Sequence, residues 1–327
     1  MEFLTLLWLG KPVWMWLAFM GLVAALLALD LGVLHRKARE IGVQESLMLS
    51  AFYIVLGLAF SGFVWWQLGE TAAINYVTGF VVEKSLAMDN VFVIAMIFTY
   101  FAIPRQYQHR VLFWGILGVI VLRAIMIALG ATIVSEFGWV LYLFAAFLIF
   151  TGIKMWRMVD TPYDVANSPL LGWLKRHLRV TDGLRGSAFF VQEADGKTGT
   201  IARHATPLFL ALVMIEFADL VFAVDSVPAI FAITTDPFIV YTSNIFAILG
   251  LRALYFALSA LVDRFHYLKY ALAVLLVFIG SKIFVADALG LAKIPPVVSL
   301  GITAAILTTG VIYSLWRTRN APTPSLT

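Results

Sequence analysis

Long apolar runs separated by short polar loops recur along the whole chain. Each run has at least 20 residues, and about 20 apolar residues are enough for a helix to cross the hydrocarbon core of a bilayer. The pattern therefore predicts an all-α polytopic membrane protein with about nine transmembrane helices. The predicted spans are residues 14–34, 47–67, 73–101, 111–133, 137–157, 207–233, 238–262, 268–290 and 296–316.

The loops between these runs carry basic residues on alternate sides. Sixteen lysines and arginines fall in one set of loops, against only Lys11 and Lys293 in the other set. By the positive-inside rule we expect the N-terminus outside and the C-terminus in the cytoplasm. The sixteen residues are Arg36, Lys37, Arg39, Arg105, Arg110, Arg157, Lys175, Arg176, Arg179, Arg185, Lys197, Arg203, Arg264, Lys269, Arg317 and Arg319.

The composition agrees with a membrane protein and excludes several functions. Of the 327 residues, 62% are hydrophobic and 13% are charged, which is far from the average of soluble domains. The net charge of +4 comes from loop residues, so it implies contact with a lipid bilayer and no nucleic-acid partner. The chain has no cysteine, which excludes disulfides, iron–sulfur clusters and thiolate metal sites.

Sequence motifs of enzymes and nucleotide-driven pumps are also missing. The chain contains no G-x-x-x-x-G-K-[ST] phosphate loop and no Gly-x-Gly-Asp of the intramembrane aspartyl proteases. We therefore expect no enzyme activity and no organic cofactor. Energy for any transport would come from an ion gradient or the membrane potential.

Two segments of the chain share one motif. The pattern acid-x3-Ala-x-Asp-x-Val-x2-Ile occurs at Glu83–Ile94 and again at Asp219–Ile230. The next spans repeat as well, with Leu-Arg-Ala at 122–124 and 251–253, and with Phe-x-Gly-x-Lys ending at Lys154 and Lys282. Each copy has three spans, so the second copy enters the membrane from the opposite side. Such inverted 3+3 repeats are typical of secondary transporters, whose sites lie near the midplane.

The repeat divides the chain into parts. Residues 160–206 form the one long polar segment of the chain. Within it we expect an amphipathic basic helix near Pro169–Val180 and a hairpin turning at Asp195-Gly196. The predicted parts are two N-terminal transmembrane helices (1–72), the first repeat (73–157), a cytoplasmic linker with the hairpin (158–206), the second, inverted repeat (207–290), and a last transmembrane helix with a disordered tail (291–327).

Five carboxylates and two neutral oxygen donors form the candidate metal site. An unpaired acid at the centre of a membrane helix costs about 2.5–3.5 kcal/mol, so several acids inside apolar spans indicate a function. Clusters of oxygen ligands suit hard or borderline divalent cations such as Mn²⁺, Mg²⁺ or Ca²⁺. The candidate ligands are Glu83, Asp89, Asn90, Glu216, Asp219, Asp225 and Ser226.

Helix geometry limits how these acids can meet. Residues six apart on a regular helix are separated by about 9 Å along its axis, so Asp219 and Asp225 share one ion only if the helix breaks. Pro228 is the expected break, since it cannot donate to the carbonyl of Val224. We expect the two acidic motifs to face each other.

Four basic residues also lie within the spans. We expect them to pair with surplus carboxylates and to stabilise the site in the absence of metal. Two other interpretations stay open at this point: the bases neutralise all the acids and no metal binds, or the acids relay protons without a metal. The four residues are Lys84, Arg123, Arg252 and Lys282.

Several longer segments resemble one family of membrane proteins. They are E-K-S-L-A-M-D-N at 83–90, the acidic segment 216–230, S-N-I-F-A-I-L-G-L-R-A-L-Y-F at 243–256 and D-R-F-H-Y-L-K-Y at 263–270. These segments resemble the TerC family, and the whole chain is similar to its Alx-type members. The resemblance implies a bacterial inner-membrane protein related to the LysE-type exporters and associated with manganese export. It also implies a metal site at Glu83, Asp89, Glu216, Asp219 and Asp225.

The residues and the resemblance together predict a secondary transporter. Its expected substrate is Mn²⁺, exported from the cytoplasm by alternating access in exchange for protons. Two alternatives stay open: an exporter of another solute, such as an amino acid or an oxyanion bound by the arginines, and a membrane scaffold that binds metal without moving it.

Overall fold

The computed structural model describes residues 2–29, 42–159, 164–194, 201–258, 265, 267–290 and 294–318. Within these residues the protein is almost entirely helical. The elements are α1 (Glu2–Thr5), β1 (Leu7–Trp8), β2 (Lys11–Pro12), α2 (Val13–Leu29), α3 (Val43–Leu68), α4 (Glu70–Tyr100), α5 (Arg105–Glu136), α6 (Val140–Arg157), α7 (Pro169–His177), β3 (Phe190–Ala194), β4 (Ile201–Ala205), α8 (Pro207–Phe231), α9 (Pro237–Leu249), α10 (Leu251–Leu258), α11 (Leu268–Ala288) and α12 (Pro296–Thr318).

The helices are those of a polytopic α-helical membrane protein. Among the described residues, seven helical segments are long and apolar enough to cross a bilayer, with α9 and α10 counted as one. The apolar helix α2 is described over 17 residues, up to Leu29, and is shorter over that range than the members of this group. Helix α4 has 31 residues, but Glu83, Lys84 and Asp89 near its centre lower its hydropathy. These two helices account for the difference from the predicted count of nine.

The helix break occurs at a different place from the one expected. Helix α8 continues through Pro228 to Phe231, so no interruption separates Asp219 from Asp225 in this fully described stretch. The predicted span 238–262 is interrupted instead, at Gly250 between α9 and α10. Pro228 lies in the last turn of α8, where it removes a single backbone donor.

Helix α9 forms the centre of the bundle. Every residue of α9 from Phe238 to Leu249 is buried, and the neighbours of this helix in the fold include α3, α4 and α5. Helix α2 reaches it through Phe19, whose ring lies against Phe238, Tyr241 and Phe246. A helix that is apolar on all sides must be enclosed by others, so any polar side chain on α9 faces protein and not lipid.

Helices α6 and α11 cross at two glycines. A Cβ on Gly152 would lie 2.7 Å from the carbonyl oxygen of Ala273, and a Cβ on Gly280 would lie 2.5 Å from that of Ala145. Neither glycine leaves room for a methyl group, because the obstacle is backbone of the facing helix. The two backbones therefore approach as closely as small residues allow in membrane helix pairs.

Adding one methyl group at this crossing is expected to destabilise the fold. Overpacking of a filled interface costs about 1–3 kcal/mol, and the new Cβ of Gly280→Ala would also meet Ile149 Cγ1 at 2.9 Å. The matched control is Gly301→Ala on α12, where a Cβ meets nothing within 4 Å. The midpoint of thermal unfolding in detergent should fall for Gly280→Ala only. Equal midpoints for the two variants would contradict the close crossing.

The polar segment after α6 folds against the end of the helix bundle. Helix α7 buries Leu171 and Leu174. Strands β3 and β4 pair antiparallel from Phe190 with Ala205 to Ala194 with Ile201, where the hairpin is predicted; the turn residues 195–200 lie outside the described part. The guanidinium of Arg185 bonds to Glu193 and keeps the pKa of that exposed carboxyl below its usual value.

Candidate functional site

The guanidinium of Arg123 lies at the centre of the buried polar side chains. Its Nη1 is 2.7 Å from Glu83 Oε1, and its Nη2 is 3.4 Å from Asp219 Oδ1. The same Nη1 donates to Ser226 Oγ at 2.6 Å and to Asn244 Oδ1 at 2.7 Å. Arg123 is 1% exposed. One cation from α5 thus joins α4, α8 and α9.

The two carboxylates on Arg123 are equivalent positions of the duplicated motif. Glu83 opens the motif on α4 and Asp219 opens it on α8, and both are buried. Asn90 adds a hydrogen bond from its Nδ2 to Asp219 Oδ1 at 3.3 Å. A buried ion pair is stable only when its remaining donors and acceptors are also hydrogen-bonded. The neutral side chains supply those hydrogen bonds.

A cavity of about 400 Å³ adjoins this cluster, and we name it the acidic cavity. It extends from Glu83 to Met96 along α4 and to Val159 beyond the end of α6. Five of the seven predicted ligands line it, from both copies of the motif. They are Glu83, Asp89, Asn90, Asp225 and Ser226.

Lysines face the carboxylates of this cavity. Lys269 Nζ lies 3.6 Å from Asp89 Oδ1, beyond the range of a strong hydrogen bond. On the other side, Thr151 and Lys154 lie beside Asp225. Lys269, Lys154 and Arg123 supply three positive charges near the three carboxylates of the cavity wall, and Arg123 is shared with Asp219 outside the wall. The Asp89–Lys269 contact is longer than the two ion pairs of Arg123.

The predicted ligands do not converge on one point. In the part of the chain that the structure describes, no three acidic or histidine side chains are arranged to hold a single metal ion. Glu83 and Asp89 lie on an unbroken helix, about 9 Å apart along its axis. Asp219 reaches Arg123 from outside the acidic cavity. The acids therefore form a series of positions along α4 and α8, and not one coordination shell.

Glu216 lies one turn from Asp219 on α8 and does not line the acidic cavity. Its carboxylate rests on α5 directly over Gly118, where any Cβ would overlap it, and Gly115 is the next contact. Its Oε2 is buried, and no described group hydrogen-bonds to it. Glu216 is thus separated from the acidic cavity, although Asp219, one turn further along α8, reaches the cluster.

Comparison with known proteins assigns the chain to a family. The sequence profile of the integral membrane protein TerC family matches residues 68–321, which include every residue of the candidate site. The chain belongs to the TerC family. No solved structure matches it.

Curated relatives of this TerC-family chain span nearly its whole length. A membrane protein of Rickettsia bellii is 46% identical over 302 residues, which are 92% of this chain and 97% of the relative. One from Myxococcus xanthus is 45% identical, over 96% of this chain and 95% of the relative. The Alx protein of Escherichia coli K12, named as a candidate membrane-bound redox modulator, is 46% identical over 94% of this chain and 95% of its own length.

The other predicted basic residues of the TerC-family chain bind groups that sequence reasoning did not assign. Lys84 donates from Nζ to the carbonyl oxygen of Ala247 at 3.0 Å, in the last turn of α9. A Cβ on Gly250 would lie 2.7 Å from that ammonium group. A cation at a helix C-terminus is favourable because the terminal carbonyls carry partial negative charge. The glycine therefore leaves space for Lys84 to cap α9 at its break.

Arg252 and Lys282 lie apart from each other. Arg252 is 4% exposed and lines a small cavity of about 20 Å³ together with Asn90 and Asp219. Lys282 donates from Nζ to Ser299 Oγ at 3.5 Å, away from the acidic cavity. The hydrogen bonds described for Lys84 and Lys282 go to a carbonyl and a hydroxyl, so their pairing with the motif carboxylates stays a prediction.

Three contributors to the site were missed in the sequence. Asn244 and Thr151 are short polar residues inside apolar runs, and Lys269 begins its span and reads as a loop residue. A signal existed for Asn244, because an amide on a wholly apolar helix needs a buried partner. For Lys269 no signal existed, since its reach depends on where α11 starts relative to α4.

Proposed function

We propose that this TerC-family protein is a secondary transporter that exports a divalent cation, Mn²⁺, from the cytoplasm. The acidic cavity carries the proposal, because carboxylates of both motif copies line this one cavity of about 400 Å³. Carboxylate and amide oxygens are suitable ligands for Mn²⁺. A site arranged in series also suits transport, which needs binding weak enough for release.

The proposed architecture is nine membrane-spanning helices with an inverted repeat, α4–α6 related to α8–α11. In this repeat α8 is the counterpart of α4, and α9 is the counterpart of α5. The packing supports it, because α4 contacts α9 and, in the same way, α8 contacts α5. The crossing of α6 and α11 supports it further. Gly152 meets Ala273 and Val277, and its equivalent Gly280 meets Ala145 and Ile149. In each case the equivalent residues of the two copies are 128 positions apart, so the contact is symmetric.

The proposed orientation places the acidic cavity on the cytoplasmic side of a bacterial inner membrane. The positive-inside distribution of loop residues supports it, since the cavity wall ends at Met158 and Val159, next to the basic segment after α6. The N-terminus is then outside and the C-terminus is cytoplasmic. In this orientation the described conformation receives its substrate from the cytoplasm.

The residues around the cavity have separate tasks in this mechanism. The substrate cation displaces the ammonium of Lys269 from Asp89 and that of Lys154 from Asp225, so lysines balance the charge of the cytoplasm-facing cavity before the ion binds. Arg123 stays on Glu83 and Asp219 and keeps the two motif helices in register. On the return step protons take the place of the metal on the freed carboxylates, which couples export to proton entry.

Two other functions are weighed against this proposal. A carrier of an anionic solute would need its arginines facing the cavity unpaired, whereas Arg123 is bonded to two carboxylates. A metal-binding scaffold would bind ions without flux. The name of the Escherichia coli relative suggests a redox role; a chain without cysteine has no thiol couple of its own, so we propose that any such effect follows from the metal it moves.

Ion uptake into inverted membrane vesicles tests the proposal. Their lumen corresponds to the outside of the cell, so Mn²⁺ added to the medium should accumulate in vesicles that contain the protein and not in matched vesicles that lack it. Mg²⁺, Ca²⁺ and Zn²⁺ measured in parallel give the selectivity. The lumen should become more alkaline as protons leave. Metal binding without accumulation would favour the scaffold, and sustained flux at constant lumenal pH would remove the proton coupling.

A further inference from the structure

A second cavity lies at the opposite end of α4 and α8, and we name it the polar cavity. Its volume is about 480 Å³. Asn75, Thr78 and Ser299 contribute amide and hydroxyl groups to its wall, and Lys282 and Asp287 contribute one pair of opposite charges. The rest of its wall is largely apolar, with residues such as Leu141 and Phe231. The proposed mechanism does not use this cavity, yet the polar and charged groups on its wall require water or a polar ligand.

The polar cavity and the acidic cavity lie end to end along the same helices. Residues of α4, α6, α8 and α11 line both. On α4 the acidic cavity begins at Glu83 and the polar cavity ends at Thr78; on α8 the corresponding residues are Ser226 and Phe231. Each separation is five residues, so about 7.5 Å of helix divides the two cavities.

The material between the cavities is apolar. Val82, Leu148, Ala229 and Ile279, one residue from each of these four helices, belong to a single hydrophobic cluster. None is more than 2% exposed. We name these four side chains the apolar layer. A thin hydrophobic constriction between two wetted chambers blocks ions because water does not fill it.

The crossing of α6 and α11 lies at the level of the apolar layer. Leu148 is one turn before Gly152, and Ile279 directly precedes Gly280. Two residues beyond these glycines stand the equivalent lysines of the repeat: Lys154 lines the acidic cavity and Lys282 lines the polar cavity. The repeat thus places one lysine in each chamber, on opposite sides of one close contact.

We propose that the polar cavity is a second, weaker site for the same hydrated divalent cation, from which the ion leaves to the outside. The apolar layer is the gate that separates it from the acidic cavity. This inference rests on the proposed function. Three carboxylates line the acidic cavity and one lines the polar cavity, and cation affinity falls as the number of charged ligands falls. An ion in the polar cavity is therefore released more readily than one in the acidic cavity, which suits exit to the outside.

Single cysteine variants test the route independently of transport, since the native chain contains no cysteine. Asn75→Cys and Ala232→Cys place a thiol in the polar cavity on two different helices, and Thr151→Cys places one in the acidic cavity. Ile312→Cys, on the exposed face of α12, is the lipid-facing control. Each variant is treated with a membrane-impermeant thiosulfonate, once in spheroplasts and once in inverted vesicles.

The expected pattern separates the two sides of the membrane. Asn75→Cys and Ala232→Cys should react from the outside, at least tenfold faster than Ile312→Cys, and Thr151→Cys should react only from the cytoplasmic side. Val82→Cys, in the apolar layer, should stay unmodified from both sides without substrate. Addition of Mn²⁺ to the cytoplasmic side should change the rates at Asn75→Cys and Thr151→Cys in opposite directions.

Two results would overturn the inference. One is a polar cavity closed to the reagent from both sides in both Asn75→Cys and Ala232→Cys, each shown to be folded by its thermal midpoint. The other is modification of Thr151→Cys and Asn75→Cys from the same side. Failure of the proposed function is distinguishable: the labelling pattern would then hold while native vesicles accumulate no divalent ion.

Discussion

Replacing Arg123 with glutamine is expected to destabilise the protein more than any other single change at the site. Glu83 and Asp219 would be left buried without their common cation, and Asn244 and Ser226 would lose a donor. Removing one partner of a buried ion pair costs about 3–5 kcal/mol. The free energy of unfolding, measured in mixed micelles by titration with a denaturing detergent, should fall by that amount.

Two companion variants identify the cause of the loss. The triple variant Glu83→Gln, Arg123→Gln, Asp219→Asn removes the unpaired charges together and should recover much of the stability, since the cluster acts as one unit. Arg185→Gln breaks an exposed pair with Glu193 and should leave the unfolding curve unchanged. An Arg123→Gln protein as stable as the native one would mean that the guanidinium does not hold the two motif helices.

Replacing Asp89 or Asp225 with asparagine is expected to abolish transport while the fold stays intact. Each change removes one negative charge from the acidic cavity and leaves its shape nearly the same. Losing about 2.7 kcal/mol of binding to a divalent ion corresponds to about a 100-fold change. The initial rate of Mn²⁺ uptake into inverted vesicles should therefore fall about 100-fold or more for each variant, with an unchanged thermal midpoint.

The control substitutions decide between classes of substrate. Asp182→Asn makes the same chemical change at an exposed position and should leave uptake at the native rate. Arg252→Gln removes a buried cation outside the acidic cavity and should keep Mn²⁺ uptake within about tenfold of native, a loss below 1.4 kcal/mol. A carrier of anions would give the reverse order, with transport lost in Arg252→Gln and kept in Asp225→Asn.

The sequence predicts the helices well because their pattern is long and repeated. A span of 20 apolar residues has few alternatives to a helix in the bilayer, and the described helices α3 to α12 fall where the runs predict them. The position of the break was wrong for a local reason. A proline near a helix end disturbs little. The break at Gly250 lies against a group from another helix, the ammonium of Lys84, and no local pattern contains that information.

The sequence selects acidic residues of which several line one cavity, but it does not reveal the contacts that connect them. The duplicated motif identifies Glu83, Asp89 and Asp225, which share a cavity. It does not reveal that a side chain as long as arginine reaches from α5 between two carboxylates, because helical periodicity fixes a direction around the axis and not how far a side chain extends. Glu216 illustrates the converse, since its motif neighbours are central while its own carboxylate rests on Gly118.

Arg123 is bonded to both copies of the repeated sequence, and these bonds limit how the two copies can move relative to each other. Arg123 belongs to the first copy. Three of its partners belong to the second copy: Asp219, Ser226 and Asn244. The arginine side chain has a fixed length, so its hydrogen bonds tolerate only small movements of one half relative to the other. A larger movement would require Arg123 to exchange these hydrogen bonds together. Exchange between discrete hydrogen-bond partners favours two distinct conformations over a continuous range. A carrier built in this way would switch between two conformations with few stable intermediates.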